Sequence, residues 1–482
     1  MGDPTPSDDQ DLARAGYRPQ FARGLGSFTA FAAGFSYLSI LTGIPQNFYL
    51  GYREAGPAFV WTWPVVFVGQ FCLAVCFADL ARAYPFCGGV YAWSRRAGSA
   101  FVGWLTGWVY LASLIFTLAA VALAWQIVLP AIWPGFQFMG ENPTENAALL
   151  GTVLIVLSTV VNVAGTRWMA VIMNAGVLIE LIGAVLLIGL LAVHAVRGPG
   201  VVFDLRPGAI SDGFGAIGPF LAAAVVSAYI MYGFDTAGTL AEETVDPRRR
   251  GPRAILQALA AAAVLGALLL LVALTAAPDL DDPLLGSDQG GLPHLIKQVL
   301  GDDLGKVILV ASVVAIFVCA LAVQANTARV VFAMARDGTL PGARWLGRVH
   351  EHRKTPHAAV LLVGGLACAL LLFNIKLPNL MIALVCVSIV WANLAYLLTT
   401  TPLLVGRLRG TSDVPAGGWR LFANVVAVVW GVVLIVNIGW PRARFYGDAW
   451  TERNAAPLYT AGLLVAGIGV YAWLRINRRG GS

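Results

Sequence analysis

The chain has 482 residues, 58 % of them apolar and only 12 % charged, with a formal net charge of +6. A soluble domain carries about a quarter charged residues, and no polar stretch here is long enough to fold as one. A soluble enzyme and a basic nucleic-acid-binding domain are therefore both excluded as the body of this protein.

The first 23 residues open on a polar, acidic stretch (GDPTPSDDQD) without the basic, apolar and small-residue order of a cleavable signal peptide, and read as a cytoplasmic tail. Apolar runs follow near 26–50, 58–80, 100–133, 147–164, 170–195, 214–240, 254–277, 306–328, 357–374, 378–405, 419–440 and 456–474. A run of about 20 apolar residues crosses a bilayer as a helix, so the expected fold class is all-α and integral to the membrane, with twelve transmembrane helices. Only a tight turn around Asn374, Lys376 and Pro378 separates the ninth and tenth spans. With the N-terminus inside, 23 of the 32 Lys and Arg fall on inner segments, which places both termini in the cytoplasm. The outer segment 278–303 is acidic, as that orientation requires. The six cysteines show no paired spacing with nearby His; they read as buried free thiols, and neither a metal nor a cofactor is expected.

Span 1 (FAAGFSYLSILTGIP) is interrupted by Gly34, Ser36, Ser39, Thr42, Gly43 and Pro45. Span 5 carries a deep acid, Glu180. Span 6 reaches Gly233-Phe234-Asp235 and leaves through two glutamates into a basic turn. An acid at that depth is costly in lipid and reads as functional. Equivalent interruptions five spans apart must face opposite ways across the membrane, the pattern of an inverted repeat with its site at the interface. The expected divisions are a tail over 1–23, a first repeat over 24–196, a second over 212–405, two added helices over 417–475 and a tail over 476–482.

The chemistry suits a zwitterion. A helix starting near Gly43 presents amide groups and its positive end to a carboxylate. A helix ending at the break leaves carbonyls from Tyr229 through Tyr232 to Gly233 for an ammonium. Phe234, Tyr229 and Trp108 are the candidate aromatic walls, each able to face a cation. Asp235 fits three roles at this point: amine contact, proton relay or helix cap.

Four patches resemble the amino acid–polyamine–organocation transporter superfamily: GFSYLSILTGI (34–44), FADLARAYPFCGGVYAWSRR (77–96), GFDTAGTLAEETVDPRRRGPRAI (233–255) and NTARVVFAMARDGTLP (326–341). FSYLSILTGI, with Leu41-Thr42-Gly43 where many relatives have Gly-Ser-Gly, and GGWRLFANVVAVVWGVVLIVNIGWP (417–441) resemble the branch of GABA, choline and other amino acid permeases. The resemblance implies a five-plus-five inverted-repeat core with discontinuous helices 1 and 6, and alternating access. It implies a substrate site at Ser39, Leu41, Thr42 and Gly43, with Thr106, Gly107 and Leu111 from span 3 and Val323 and Gln324 from span 8. It places Glu180 where sodium-coupled relatives hold an ion and some proton-coupled ones have lysine, so Glu180 reads as either a coupling or a structural acid. Asp79, Arg82, Glu242 and Glu243 read as an inner gate. The function implied is secondary transport of an amino acid or small amine across a bacterial cell membrane, with a proton favoured over sodium. Choline or ethanolamine, polyamines, and an amine-permeable channel are the alternatives.

Overall fold

The computed structural model describes residue 10 and residues 12–140, 142–205, 214–374 and 380–479. The acidic start of the N-terminal tail, the expected beginning of the second repeat at 212, the turn at 374–378 and the last three residues lie wholly or largely outside these residues.

The described residues form helices and no strand; one isolated parallel bridge joins Leu25 to Thr244. In order they are α1 (Ser27–Leu38), α2 (Ile40–Ala55), α3 (Thr62–Ala83), α4 (Gly89–Ala97), α5 (Ala100–Ile132), α6 (Pro143–Ala164), α7 (Thr166–Val193), α8 (Gly218–Ile230), the single turn α9 (Thr236–Thr239), α10 (Pro247–Ala276), α11 (Gly291–Leu300), α12 (Asp302–Arg336), α13 (His357–Asn374), α14 (Leu380–Arg409), α15 (Gly418–Gly439) and α16 (Ala455–Arg479); shorter turns are not numbered. Among the described residues, nine helical stretches are long and apolar enough to cross a membrane, the first being Ser27–Ala83. Two shorter apolar helices, α8 and α13, lie beside them.

The outward faces confirm the solvent. Val153, Val156 and Val160 on α6, and Val171, Leu178, Ile182 and Val185 on α7, are all exposed large apolar side chains at helical spacing. Such a surface is stable only against lipid tails. Inside, one continuous core joins α1, α2, α5, α8, α12 and α14.

Two interruptions organise that core. α1 stops at Leu38, Ser39 takes φ +23°, and α2 restarts at Ile40. A positive φ at a non-glycine residue is strained, and the hydroxyl of Ser39 is held on both sides, by Thr42 and Glu180, as described below. α8 stops at Ile230, Met231 N still donating to Ser227 O at 3.1 Å. Gly233 takes φ +92°, and its amide donates to Tyr396 Oη at 2.9 Å instead of to the helical acceptor Tyr229 O. The backbone at Gly233 lies flat on Tyr37: a Cβ there would stand 2.0 Å from two ring carbons. α2 and α8 also mesh directly, since a Cβ on Gly43 would stand 2.4 Å from Ile230 Cγ1.

Candidate functional site

Between the two breaks lies a cavity of about 10 Å3, room for a single water. Leu38, Ser39, Thr42 and Gly43 form its wall on the α1–α2 side, Tyr229 and Ile230 on the α8 side. Tyr37 of α1, Thr117 and Val121 of α5, and Cys319 of α12 close the rest. Among these described residues the wall is neutral. It mixes hydroxyls with aliphatic side chains.

The α2 start does not present free amides, as the sequence had suggested. Glu180, fully buried on α7, reaches it: Ser39 Oγ donates to Glu180 Oε1 at 2.8 Å, and Leu41 N donates to the same oxygen at 3.3 Å. Gly43 N is spent on Ser39 O at 2.9 Å, and the Ser39 and Thr42 hydroxyls pair at 2.5 Å. A carboxylate at a helix N-terminus is stabilised by the amides and by the dipole. Here the protein supplies that carboxylate itself. The other oxygen, Oε2, is buried and without a partner among the described residues.

Asp235 is likewise committed to the fold. Tyr110 Oη donates to one carboxylate oxygen and Tyr396 Oη to the other, each at 2.5 Å. Asn326 Nδ2 ties Thr236 Oγ1 into the same knot at 3.0 Å. Two aromatic hydroxyls on α5 and α14 thus fix the α8–α9 break from both sides. Asp235 does not line the cavity, and its carboxylate joins α5 and α14 without capping α9, where it makes no side-chain cap hydrogen bond. Phe234 is turned the same way, packing on Phe77 and Tyr396 at 5.9 and 5.8 Å between ring centres. Tyr232 stands just behind the wall, its hydroxyl 2.6 Å from Thr117 Oγ1.

Span 3 needs correction. Trp108 stacks on Trp104 at 5.6 Å and donates to Leu463 O of α16, so it faces the last helix. Thr106 bonds back to its own helix at Val102 O, and Gly107 sits against Tyr91 and Met334. Leu111 is half-buried outside the cavity. Gln324 faces α6, bonded to Ser158, Thr159 and Asn162. Val323 is buried but does not line the cavity; Cys319, one turn earlier, does. Tyr37, Thr117, Val121 and Cys319 went unnoticed in the sequence. The run GFSY was in view, yet nothing in it separated Tyr37 from a packing aromatic.

The side toward the N-terminal segment is crossed by ion pairs on α12. Arg329, with no exposed surface, binds Glu243 through two N–H···O contacts at 2.9 and 3.2 Å. Arg336 binds Glu242 at 2.9 Å, and Cys87 N donates to the same carboxylate at 3.0 Å. Cys87, in the loop after α3, thus meets Glu242, while the arginines that neutralise the two acids come from α12. Asp79 belongs elsewhere: it holds Arg407 at 2.7 Å and Arg420 at 3.3 Å, joining α3 to α14 and α15. The Arg82 side chain is exposed, and only its carbonyl takes part, accepting from Arg248 at 2.8 Å.

The N-terminal segment lies across these pairs. Gly24 N and Leu25 N donate to Glu243 O at 3.0 and 2.9 Å. Phe21 packs edge-on against Phe332 at 5.0 Å and covers Cys87. Tyr17 Oη donates to Asp337 at 3.0 Å beneath the Arg336 guanidinium, 3.8 Å from the ring centre. Burial and the Asp337 carboxylate hold the Tyr17 phenol above its ordinary range, so it remains a donor. A hydrogen bond to a charged group is worth about 1.5–3 kcal/mol. In a variant whose only cysteine is Cys87, Tyr17→Ala is expected to speed maleimide labelling of that thiol about tenfold; unchanged labelling would show that the segment does not guard the gate.

On the opposite side α11 packs over α2, Tyr52 Oη donates to Leu280 O at 2.7 Å, and the Thr62 and Ser227 hydroxyls meet at 2.7 Å. The cavity is thus closed in both directions.

The chain is similar to known proteins along most of its length. The family model described as amino acid permease matches residues 25–464. The amino-acid permease BAT1 of Arabidopsis thaliana is 25 % identical over 94 % of this chain and 92 % of its own length. An uncharacterized amino-acid permease of Schizosaccharomyces pombe is 27 % identical over 97 % of this chain and 88 % of its own. The thiamine transporter thi9 of the same yeast is 26 % identical over 77 % of this chain and 69 % of its own.

Proposed function

We propose, for a chain that belongs to the amino acid permease family, secondary active transport of an amino acid or a closely related small amine across the cell membrane by alternating access. The carrying observation is the closed cavity between two broken helices, with the wall built from both breaks. Broken helices at a shared depth are how many secondary transporters form a site that two gates expose in turn. The reading includes twelve spans, a five-plus-five inverted repeat, both termini in the cytoplasm and a bacterial cell membrane.

Three features favour a zwitterion over the alternatives. A polyamine wants several carboxylates, and the cavity wall is neutral among the described residues. Choline lacks the carboxylate that wall hydroxyls can grip. A channel needs a continuous wet path, whereas ion pairs and the N-terminal segment close the inner side here. The thiamine transporter among the relatives shows that cationic heterocycles belong in the test panel. Uptake into reconstituted vesicles, measured across neutral amino acids, 4-aminobutyrate, choline, putrescine and thiamine with and without a proton gradient, decides among them. No accumulation or exchange of any amino acid would sink the reading.

Within this reading Glu180 couples a proton to movement. Its Oε2 is buried without a partner, while Oε1 grips the Ser39 hinge. A proton taken at Oε2 removes the charge that holds the α2 amides, so proton loading and hinge motion are one event. Sodium is disfavoured by its donor preference. Facing the end of α1 is the Cys319 thiol, donating to Tyr37 O at 3.5 Å, and sodium prefers hard oxygen ligands. Glu180→Gln is expected to abolish the acceleration of uptake by an inward proton gradient while leaving exchange measurable. Full gradient-driven uptake in that variant would make Glu180 structural.

A further inference from the structure

A groove on the flank of the bundle takes no part in the site above. Its volume is about 520 Å3, within the roughly 300–1,000 Å3 of common ligand pockets. Val160, Val163 and Ala164 follow one another at helical spacing along α6 and form one side; Leu361 of α13 forms the other. Val160 and Leu361 are exposed large apolar residues, so the middle of the groove belongs among lipid tails. Thr159, also in the wall, spends its hydroxyl within the bundle, donating to Ile155 O and accepting from Gln324, each at 2.7 Å.

One end of the groove is different. Trp168 of α7, 60 % exposed, and Arg353 stand there. The loop that carries Arg353 is fastened in place. In the α6–α7 turn Gly165 takes φ +130°, and a Cβ on it would stand 3.3 Å from Arg353 O. Thr166 Oγ1 donates to Lys354 O, and Arg353 N to His350 Nδ1, each at 3.3 Å. Arg353 Nη1 donates to Val163 O at 3.2 Å, in the last turn of α6, where a cation is favoured. That occupies only part of the guanidinium fork, and no carboxylate among the described residues pairs with it. Arg167 and Lys354, next in the chain to Trp168 and Arg353, are exposed and pair with no acid among the described residues either. Glu351, the acid nearest in sequence, is exposed and pairs with none of the three. Basic pockets between membrane helices take anionic headgroups, a guanidinium meets phosphate oxygens in a bidentate fork, and tryptophan favours headgroup depth. We propose that this groove binds one anionic phospholipid, its acyl chain along Val160, Val163 and Leu361 and its phosphate on Arg353 beside Trp168. Such a lipid joins α6 and α7 to α13, which are remote in the chain.

The assignment requires a membrane but no transport, so it stands apart from the transporter reading. The full chain in detergent is mixed with equal amounts of phosphatidylglycerol and phosphatidylcholine, and bound lipid is counted by native mass spectrometry. Wild type is expected to retain phosphatidylglycerol about tenfold over phosphatidylcholine. Arg353→Gln, which keeps a donor for Val163 O, is expected to lose most of that preference. Val160→Trp, which fills the groove and leaves the cations, is expected to lose bound lipid of both kinds. Arg344→Gln makes the same charge change at an exposed position away from the groove and is expected to match wild type. Equal retention of the two lipids by wild type, phosphatidylglycerol kept in full by either groove variant, or an equal loss in Arg344→Gln overturns the assignment. If Arg353→Gln does not fold, Val160→Trp decides by the same criterion. Retention of no lipid by wild type would leave the groove to a protein partner and overturns it too.

Discussion

Gly233→Ala is expected to reduce uptake about a hundredfold or more and to lower thermal stability in detergent. The new Cβ would enter the Tyr37 ring at 2.0 Å, and the ring cannot withdraw because Tyr232 packs against it at 5.7 Å. The backbone there also sits at φ +92°, where only glycine is comfortable. Strain at such a position and overpacking each cost about 1–3 kcal/mol, and both act on the break itself. Gly189→Ala on α7 is the control, because nothing lies within 4 Å of its Cβ; it is expected to be silent. Uptake of Gly233→Ala within a few-fold of wild type would mean that the α8 break is not rigid.

Glu243→Gln should disable the inner gate. Arg329 has no exposed surface and would keep its charge without a counter-charge. Removing one partner of a buried ion pair costs about 3–5 kcal/mol. The loss falls on the closed state, because the same stretch of chain receives the Gly24 and Leu25 amides. Expected are a lower thermal midpoint and uptake reduced to about one hundredth. Adding Arg329→Met is expected to return most of the stability without returning transport, since two matched apolar replacements leave no orphan charge. A single variant within twofold of wild type in both assays would show that the pair is not a gate.

The sequence announced depth better than direction. The membrane helices followed from apolar run length alone, and the second break from Gly233 and Asp235, whose cost in lipid makes them conspicuous. The first break lay within the expected cluster, but the pivot is Ser39. A serine at φ +23° is tolerable only because an acid 141 positions later holds its hydroxyl, and no local pattern carries that information. On α5 the expected wall was Trp108 and the observed wall is Thr117 and Val121. Nine residues turn a helix by roughly two and a half turns, so Trp108 and Thr117 point to opposite sides. Gln324 missed for the same reason, five residues on from Cys319. Apolar helices bear no polar face to fix rotation, so azimuth became visible only once neighbours were in place. The gate acids were legible as charges; their partners Arg329 and Arg336 were not, because ion pairs across the bundle join segments remote in the chain.

The mesh at Gly43 has a mechanical consequence. Ile230 fills the notch left by the missing side chain, with 2.4 Å between its Cγ1 and the place a methyl would occupy. A tooth seated that deeply prevents α2 from sliding or swivelling along α8 unless the two first part. In the transport cycle proposed above, a rocking of α2 would therefore carry α8 with it as one lever. Its two pivots would be Ser39 and Gly233, the residues at the two breaks.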